Sequence, residues 1–352
     1  MVTVDIRVLS YSLLLLIFIL SVIFIYLIVN RIKETKREEI TNSYINQYHK
    51  SFYDHLIEGE PAPNVIKPES TLQIKAVEEI LTRYSHTISS EKVVERIREY
   101  AEAYLCSYYE AQLKSHKWSK RMNALYHIVD FQMYSFESKV ANMLASDKSY
   151  TNDEYLQMYL FLTKADKQLF MKLIKKNKAS FTEWEYRKLV REMNQDSFAL
   201  LLQSFEQLPQ SLRYSMIDII GLENQLKWYS FLMEVLESEE LELRIRTLKA
   251  LSKLSYVHQP KRFLTYLQSP YWEERMLVAR ILETSPSGDV QKYLITLLGD
   301  SSRLVRKQAA KSLSKQKGGE QLLQEISIAQ DEDIMVEAFQ DVYGTKVGEV
   351  NG

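Results

Sequence analysis

A chain of 352 residues with 46% apolar side chains can bury one or two ordinary cores or run as one repeat array, and its net charge of −1 gives nucleic acid no bulk attraction. Its single cysteine, Cys106, excludes an internal disulfide and suits a reducing compartment. Nine glycines and seven prolines, among abundant Leu, Lys, Glu and Gln, favour helix over sheet.

Residues 8–29, VLSYSLLLLIFILSVIFIYLIV, carry no charge. In helix such a run crosses a hydrocarbon core of about 30 Å. A cleavable signal peptide is the competing reading. It fits worse, because the run is long, Asp5 stands beside Arg7 before it, and no small-residue cleavage site comes after it. Residues 1–30 are therefore expected to be a permanent anchor. Arg31, Lys33, Lys36 and Arg37 lie beyond the run, against Arg7 and the α-amine before it. The positive-inside rule then predicts a single-pass protein of the cell membrane, with its short N-terminus outside and its C-terminal domain in the cytoplasm.

Residues 31–57 read as a juxtamembrane amphipathic helix, with Ile40, Tyr44, Ile45, Tyr48, Phe52 and Leu56 near one face. That face either covers the first edge of the helical array or lies on lipid. The sparse basic residues of 38–57 favour the first. Pro61, Pro63 and Pro68 mark residues 58–69 as a linker, and Ser70 is placed to cap the helix that carries Leu72, Val77, Ile80, Leu81 and Tyr84.

Residues 70–209 keep helical periodicity without a fixed register. A helix is predicted over 90–113, with Cys106 as a packing residue beside its apolar stripe. Trp118, Arg121, Leu125 and Ile128 resemble the repeats nearer the C-terminus, with Ile128 seven residues beyond the arginine. Tyrosine is abundant here. These rings either fill helix seams or line an exposed aromatic groove. On the second reading Tyr104, Tyr108, Tyr109, Trp118 and, further on, Trp272 are the candidate partner-binding residues.

Residues 210–344 repeat. Arg213, Arg244, Arg275 and Arg306 stand 31 residues apart, and the next step lands on Glu337. Ile220, Leu251, Leu282 and Leu313 lie seven beyond each arginine. Leu236, Leu267, Leu298 and Ala329 form a second set in the same register, with turn formers at Gly221, Gln259–Pro260, residues 285–288 and Gly318–Gly319. A fixed period of this length marks stacked two-helix units. Residues 345–352 read as a flexible tail.

The stretch DSSRLVRKQAAKSLSK, residues 300–315, resembles a bacterial HEAT repeat through Asp300, Val305, Arg306, Ala309, Ala310 and Leu313. Leu243, Arg244, Ala250 and Leu251 match the same pattern, as do Arg275, Ala279 and Leu282, although Glu274 replaces an apolar residue. Glu337 in place of arginine fits a terminal capping repeat. The resemblance implies an all-α fold, in which the N-terminal transmembrane helix is followed by an α-solenoid of HEAT-like helix pairs. The arginine ladder would then be structural, its guanidinium forks bonding loop carboxylates such as Asp300 and helix-end carbonyls. A ligand-facing cationic stripe is the alternative. Glu239–Glu240 and Glu273–Glu274 read as solvated caps at helix N-termini.

None of the phosphate-cradling, nucleophile-elbow or H-E-x-x-H spacings is present, and six scattered histidines offer no local metal set. The expectation is a membrane-anchored, non-enzymatic scaffold for protein partners at or in the membrane, for example a membrane enzyme system. It needs no cofactor, metal, nucleic acid or small-molecule substrate. The alternative is a HEAT-like enzyme or nucleic-acid binder of DNA-glycosylase or lyase type.

Overall fold

The computed structural model describes residues 6–61, 66–175, 179–254, 260–283 and 288–329. Pro63, Asn177, Gln259, the turn at 285–287, Glu337 and the tail 345–352 lie outside the described residues. The expected fold class is the one observed. The described residues are helical with no strand, and a long apolar helix leads into stacked helix pairs. The chain divides into two compact units, Met1–Leu173 and Ile174–Gly352.

The first unit opens with α1, Ile6–Tyr53. Its apolar stretch reaches a mean hydropathy of 3.1, and none of that stretch is buried. The same helix runs on without a break until Thr41, Tyr44, Ile45 and Phe52 turn inward. These residues pack against α2, Thr71–Thr87, so the juxtamembrane segment covers the edge of the helical stack. A π-turn, Asp54–Glu58, closes the helix, and Gly59 adopts φ +84°, a conformation that glycine enters without penalty. Arg96 donates to the exposed carbonyls of Leu56 and Ile57 at 3.0 and 2.9 Å, completing the C-terminus. Prolines stop the helix after this point, but the segment is not loose. Ile66 is wholly buried, and its carbonyl accepts hydrogen bonds from Tyr44 and Tyr100.

Ser70 caps α2 in a reciprocal capping box with Gln73. The helix expected over 90–113 is two helices, α3 Glu91–Tyr104 and α4 Cys106–Leu113, separated at the buried Leu105. The break lets α3 pack on α2 while α4 packs on α5, Trp118–Asp130. Then come α6, Glu137–Ala145, α7, Asn152–Ala165, and α8, Lys167–Ile174. Here α5 packs on α7.

The second unit is the more regular. Its outer helices are α9 Glu183–Glu192, α11 Gln210–Leu222, α13 Leu241–Leu251, α14 Trp272–Leu282 and α16 Arg303–Ser314, each packed on the next. Between them lie α10 Gln195–Gln203, α12 Tyr229–Val235, a 3₁₀ segment Pro260–Gln268 and α15 Gly288–Leu298, and α17 Gly319–Ala329 follows the last. The apolar set seven residues past each arginine, Ile220, Leu251, Leu282 and Leu313, is fully buried. Gly221 is not a joint. It lies inside α11, where an added Cβ would stand 2.6 Å from Ala250 Cα, so it permits close approach of α11 and α13. The turn after α11 is made instead by Asn224, at φ +51°. Gly318, at φ +75°, does form the turn expected of it.

Candidate functional site

Each arginine of the ladder stands fourth in its helix, just past the N-terminal turn. From there the guanidinium reaches back to the incoming loop and, in Arg244 and Arg275, across to a carboxylate of the following repeat. Arg244 donates through Nη1 to the carbonyls of Ser238 and Glu239 at 3.0 and 2.9 Å, and through Nε to Glu274 of α14 at 2.7 Å. Arg275 donates to the Ser269 carbonyl at 2.7 Å and grips Asp300 with Nε and Nη2 at 2.6 and 2.8 Å. Arg306 holds the carbonyls of Asp300 and Ser301 at 2.9 and 3.2 Å. The first unit contains the same clamp. Arg121 bonds the Ser115 and His116 carbonyls, each at 3.0 Å, and Glu154 of α7 at 2.7 Å.

The carboxylate therefore comes from the following repeat. Asp300 was expected to serve Arg306 through its carboxylate. It gives Arg306 its carbonyl, and its carboxylate goes to Arg275. Glu274 is not a stray polar residue in an apolar position, nor a solvated cap: it is 2% exposed and accepts from both Arg244 and Ser269. Burial pushes the Asp300 carboxyl up, but Arg275 and the Ser302 N–H outweigh it and hold the group below its ordinary range. Glu154, wholly buried, is balanced the same way: burial raises it, and Arg121 and Thr151 bring it down.

Arg213 departs from the pattern. The chain enters α11 through Pro209, and the guanidinium reaches Glu206 and Glu240 at 3.4 Å each, with its Nε buried and without a hydrogen-bond partner. Glu240 also accepts from Tyr214 and, at 2.8 Å, from Gln210, so it too is not a solvated cap. From Tyr214 an ionic network spreads over three helices. Arg246 lies 4.4 Å above the Tyr214 ring and pairs with Glu242 at 2.6 Å, Glu183 at 2.9 Å and Asp218 at 3.0 Å. Arg187 joins Asp218 from α9 at 3.2 Å. This network was not foreseen, although Arg187 and Asp218 stand 31 residues apart.

The aromatic candidates differ in exposure and are divided between the two units. Tyr109 must be withdrawn: its ring is 1% exposed in the core of the first unit, and its hydroxyl donates to Glu78 at 3.0 Å. Tyr104 and Tyr108 are half-buried, and Tyr104 packs on Tyr100 with ring centroids 4.8 Å apart. Trp118 is exposed, with its indole N–H on Thr151 Oγ1 at 3.1 Å. Trp272, in the second unit, is exposed beside Tyr271. Trp184, which the sequence did not single out, is more exposed than either, with Lys188 over its ring at 5.9 Å.

Beside Tyr109 lies a half-buried polar cluster. His127 stacks between Tyr109 and Phe131, with Nε2 3.6 Å from Glu78. Burial pushes Glu78 up to about 7, against the pull of its Tyr109 hydrogen bond, and pushes His127 down to about 4.

With this geometry in hand, the relationship to known proteins is specific in one region. Residues 260–338 match the family described as HEAT repeats. None of the curated proteins matches the chain.

Proposed function

We propose, for a chain that belongs to the HEAT-repeat proteins through residues 260–338, the role of a membrane-anchored adaptor. HEAT repeats are helical units that serve protein–protein interaction, and stacked helix pairs offer long surfaces for it. The observation that carries the anchored reading is α1. One end of this helix is apolar and bare, and the other is built into the core of the first unit. An exposed apolar run of that length has no place in water.

In this reading residues 8–29 span the membrane, the N-terminus lies outside, and the helical units face the cytoplasm. Partners are proteins at or in that membrane, a membrane enzyme system being one such class. The exposed Trp118, Trp184 and Trp272, together with the half-buried Tyr104 and Tyr108, are the residues we assign to contact, because large aromatic side chains anchor interfaces. The arginine clamps hold the repeats in register and do not meet the partner.

The test is photocross-linking from positions 118, 184 and 272 in intact membranes after alkaline carbonate washing. Retention of the chain in the membrane fraction, with one reproducible heterologous adduct, is the expected result. Release by carbonate removes the anchor. Adducts with the chain itself alone remove the adaptor.

A further inference from the structure

The near-neutral total charge hides a sharp local imbalance. Residues 241–317 hold fifteen Lys and Arg against six Asp and Glu. Several of those cations are spent in clamps and in the network around Asp218. Lys249, Arg280 and Lys311 are not. They are exposed, stand 31 residues apart, and occupy the ninth position of α13, α14 and α16. Lys253 is exposed one turn beyond Lys249. None of these four side chains makes an ion pair among the described residues. Packed helices lie about 10 Å apart, so the column spans about 20 Å.

Among the described residues, two acids on or beside these helices are already engaged. Asp218 is held by Arg187 and Arg246, and Glu283 by Lys315. Cations near helix C-termini are favoured by the helix dipole, which accounts for one at each end. The dipole does not account for three such cations in register without an ion pair among the described residues. Nor does it account for the neighbouring Leu222, exposed and lining one cleft with Lys249, Ala250, Lys253 and the Arg187–Asp218 pair.

We propose that this column docks the second unit onto an anionic phospholipid leaflet. A line of spaced cations suits a surface of phosphate headgroups better than one small anion. An exposed leucine among the cations fits insertion at the headgroup boundary and would gain nothing from a nucleic-acid backbone. The inference rests on the anchored reading, since a membrane tether brings the column to lipid at high effective concentration.

The test uses the full chain in nanodiscs, with Cys106→Ser, and a fluorophore at Ser252→Cys between Lys249 and Lys253. Discs are of phosphatidylcholine alone, or with about a third phosphatidylglycerol. Quenching by a headgroup nitroxide is expected to be strong in anionic discs and weak in neutral ones. Each neutralised cation should lower the docked-to-undocked ratio about five-fold. The K249E/K253E/R280E/K311E variant should therefore lose the signal while keeping its helical circular dichroism and melting profile.

Equal quenching in both discs overturns the proposal, as does quenching in the reversed variant that matches the parent. Binding of polyglutamate or duplex DNA without a lipid response overturns it in favour of another anionic partner. Carbonate extraction reads the anchor separately. If the chain is released, co-flotation of that chain with anionic but not neutral vesicles still decides the column.

Discussion

Arg275 and Asp300 show what one residue pair does here. The pair is nearly desolvated, with side-chain exposures of 13% and 8%, and each charge makes a further hydrogen bond to backbone. Removing one partner leaves the other buried and unpaired. Arg275→Met or Asp300→Asn is expected to cost about 2–4 kcal/mol in urea unfolding, and the double variant less than the sum of the two. Asp300 is held below its ordinary range, so its stabilising contribution is present at neutral pH and lost as pH falls through its folded value. Glu78 runs the other way. Its carboxyl, raised to about 7, contributes stability that is complete below about 4.5 and lost as pH rises through 7. Glu78→Gln should therefore gain on the parent between pH 5 and pH 8.5, by on the order of 3 kcal/mol, read as the gap between urea midpoints. The sequence showed the arginines but not their acceptors, because the carboxylate sits 25 to 30 residues on and in no fixed register: Glu274 for Arg244, Asp300 for Arg275. The Glu78–His127 cluster left no sequence signal, since it joins α2 to α5 across a fold that had first to be known.

Helices start where capping and periodicity put them, and this is the scale at which the chain was most legible. Ser70, Thr151 and Thr182 each make a full capping box, and replacing any of them with Ala should cost about 1 kcal/mol by thermal unfolding. The 31-residue period gave α11, α13, α14 and α16 of the second unit. It failed in the middle of the chain for a simple reason. The fourth residues of α5, α7, α9 and α11 are Arg121, Tyr155, Tyr186 and Arg213. The helical order is kept there, but the loops change length and the arginine gives way to tyrosine. Gly221 was misread because glycine marks both turns and close contacts. Gly221→Ala would drive α11 away from α13, at a cost of about 1–3 kcal/mol in urea unfolding. Ala250→Gly should not restore it, since the clash is with the Ala250 Cα at 2.6 Å as well as with its Cβ.

Across the whole molecule, the consequence of greatest reach is that α1 has no hinge. Its 48 residues make a rod of about 72 Å, and its last turns are part of the first unit's core. Between the apolar run and the first buried residue, Thr41, lies a bare helical stalk of about 16 Å, rich in charges of both signs from Arg31 to Glu39. A flexible linker would leave the unit free to turn. On the anchored reading proposed above, a continuous helix fixes both the unit's distance from the bilayer and the face it presents to neighbours there. Two alanines inserted after Lys36 should turn the unit by about 200° and lift it about 3 Å, while seven should restore its azimuth to within about 20° and lift it about 10 Å. If partners are engaged at a fixed azimuth, cross-linking from Trp118 falls with two and returns with seven. A partner insensitive to both would mean that the tether acts only as a leash, and that stalk rigidity plays no part in presenting the surface.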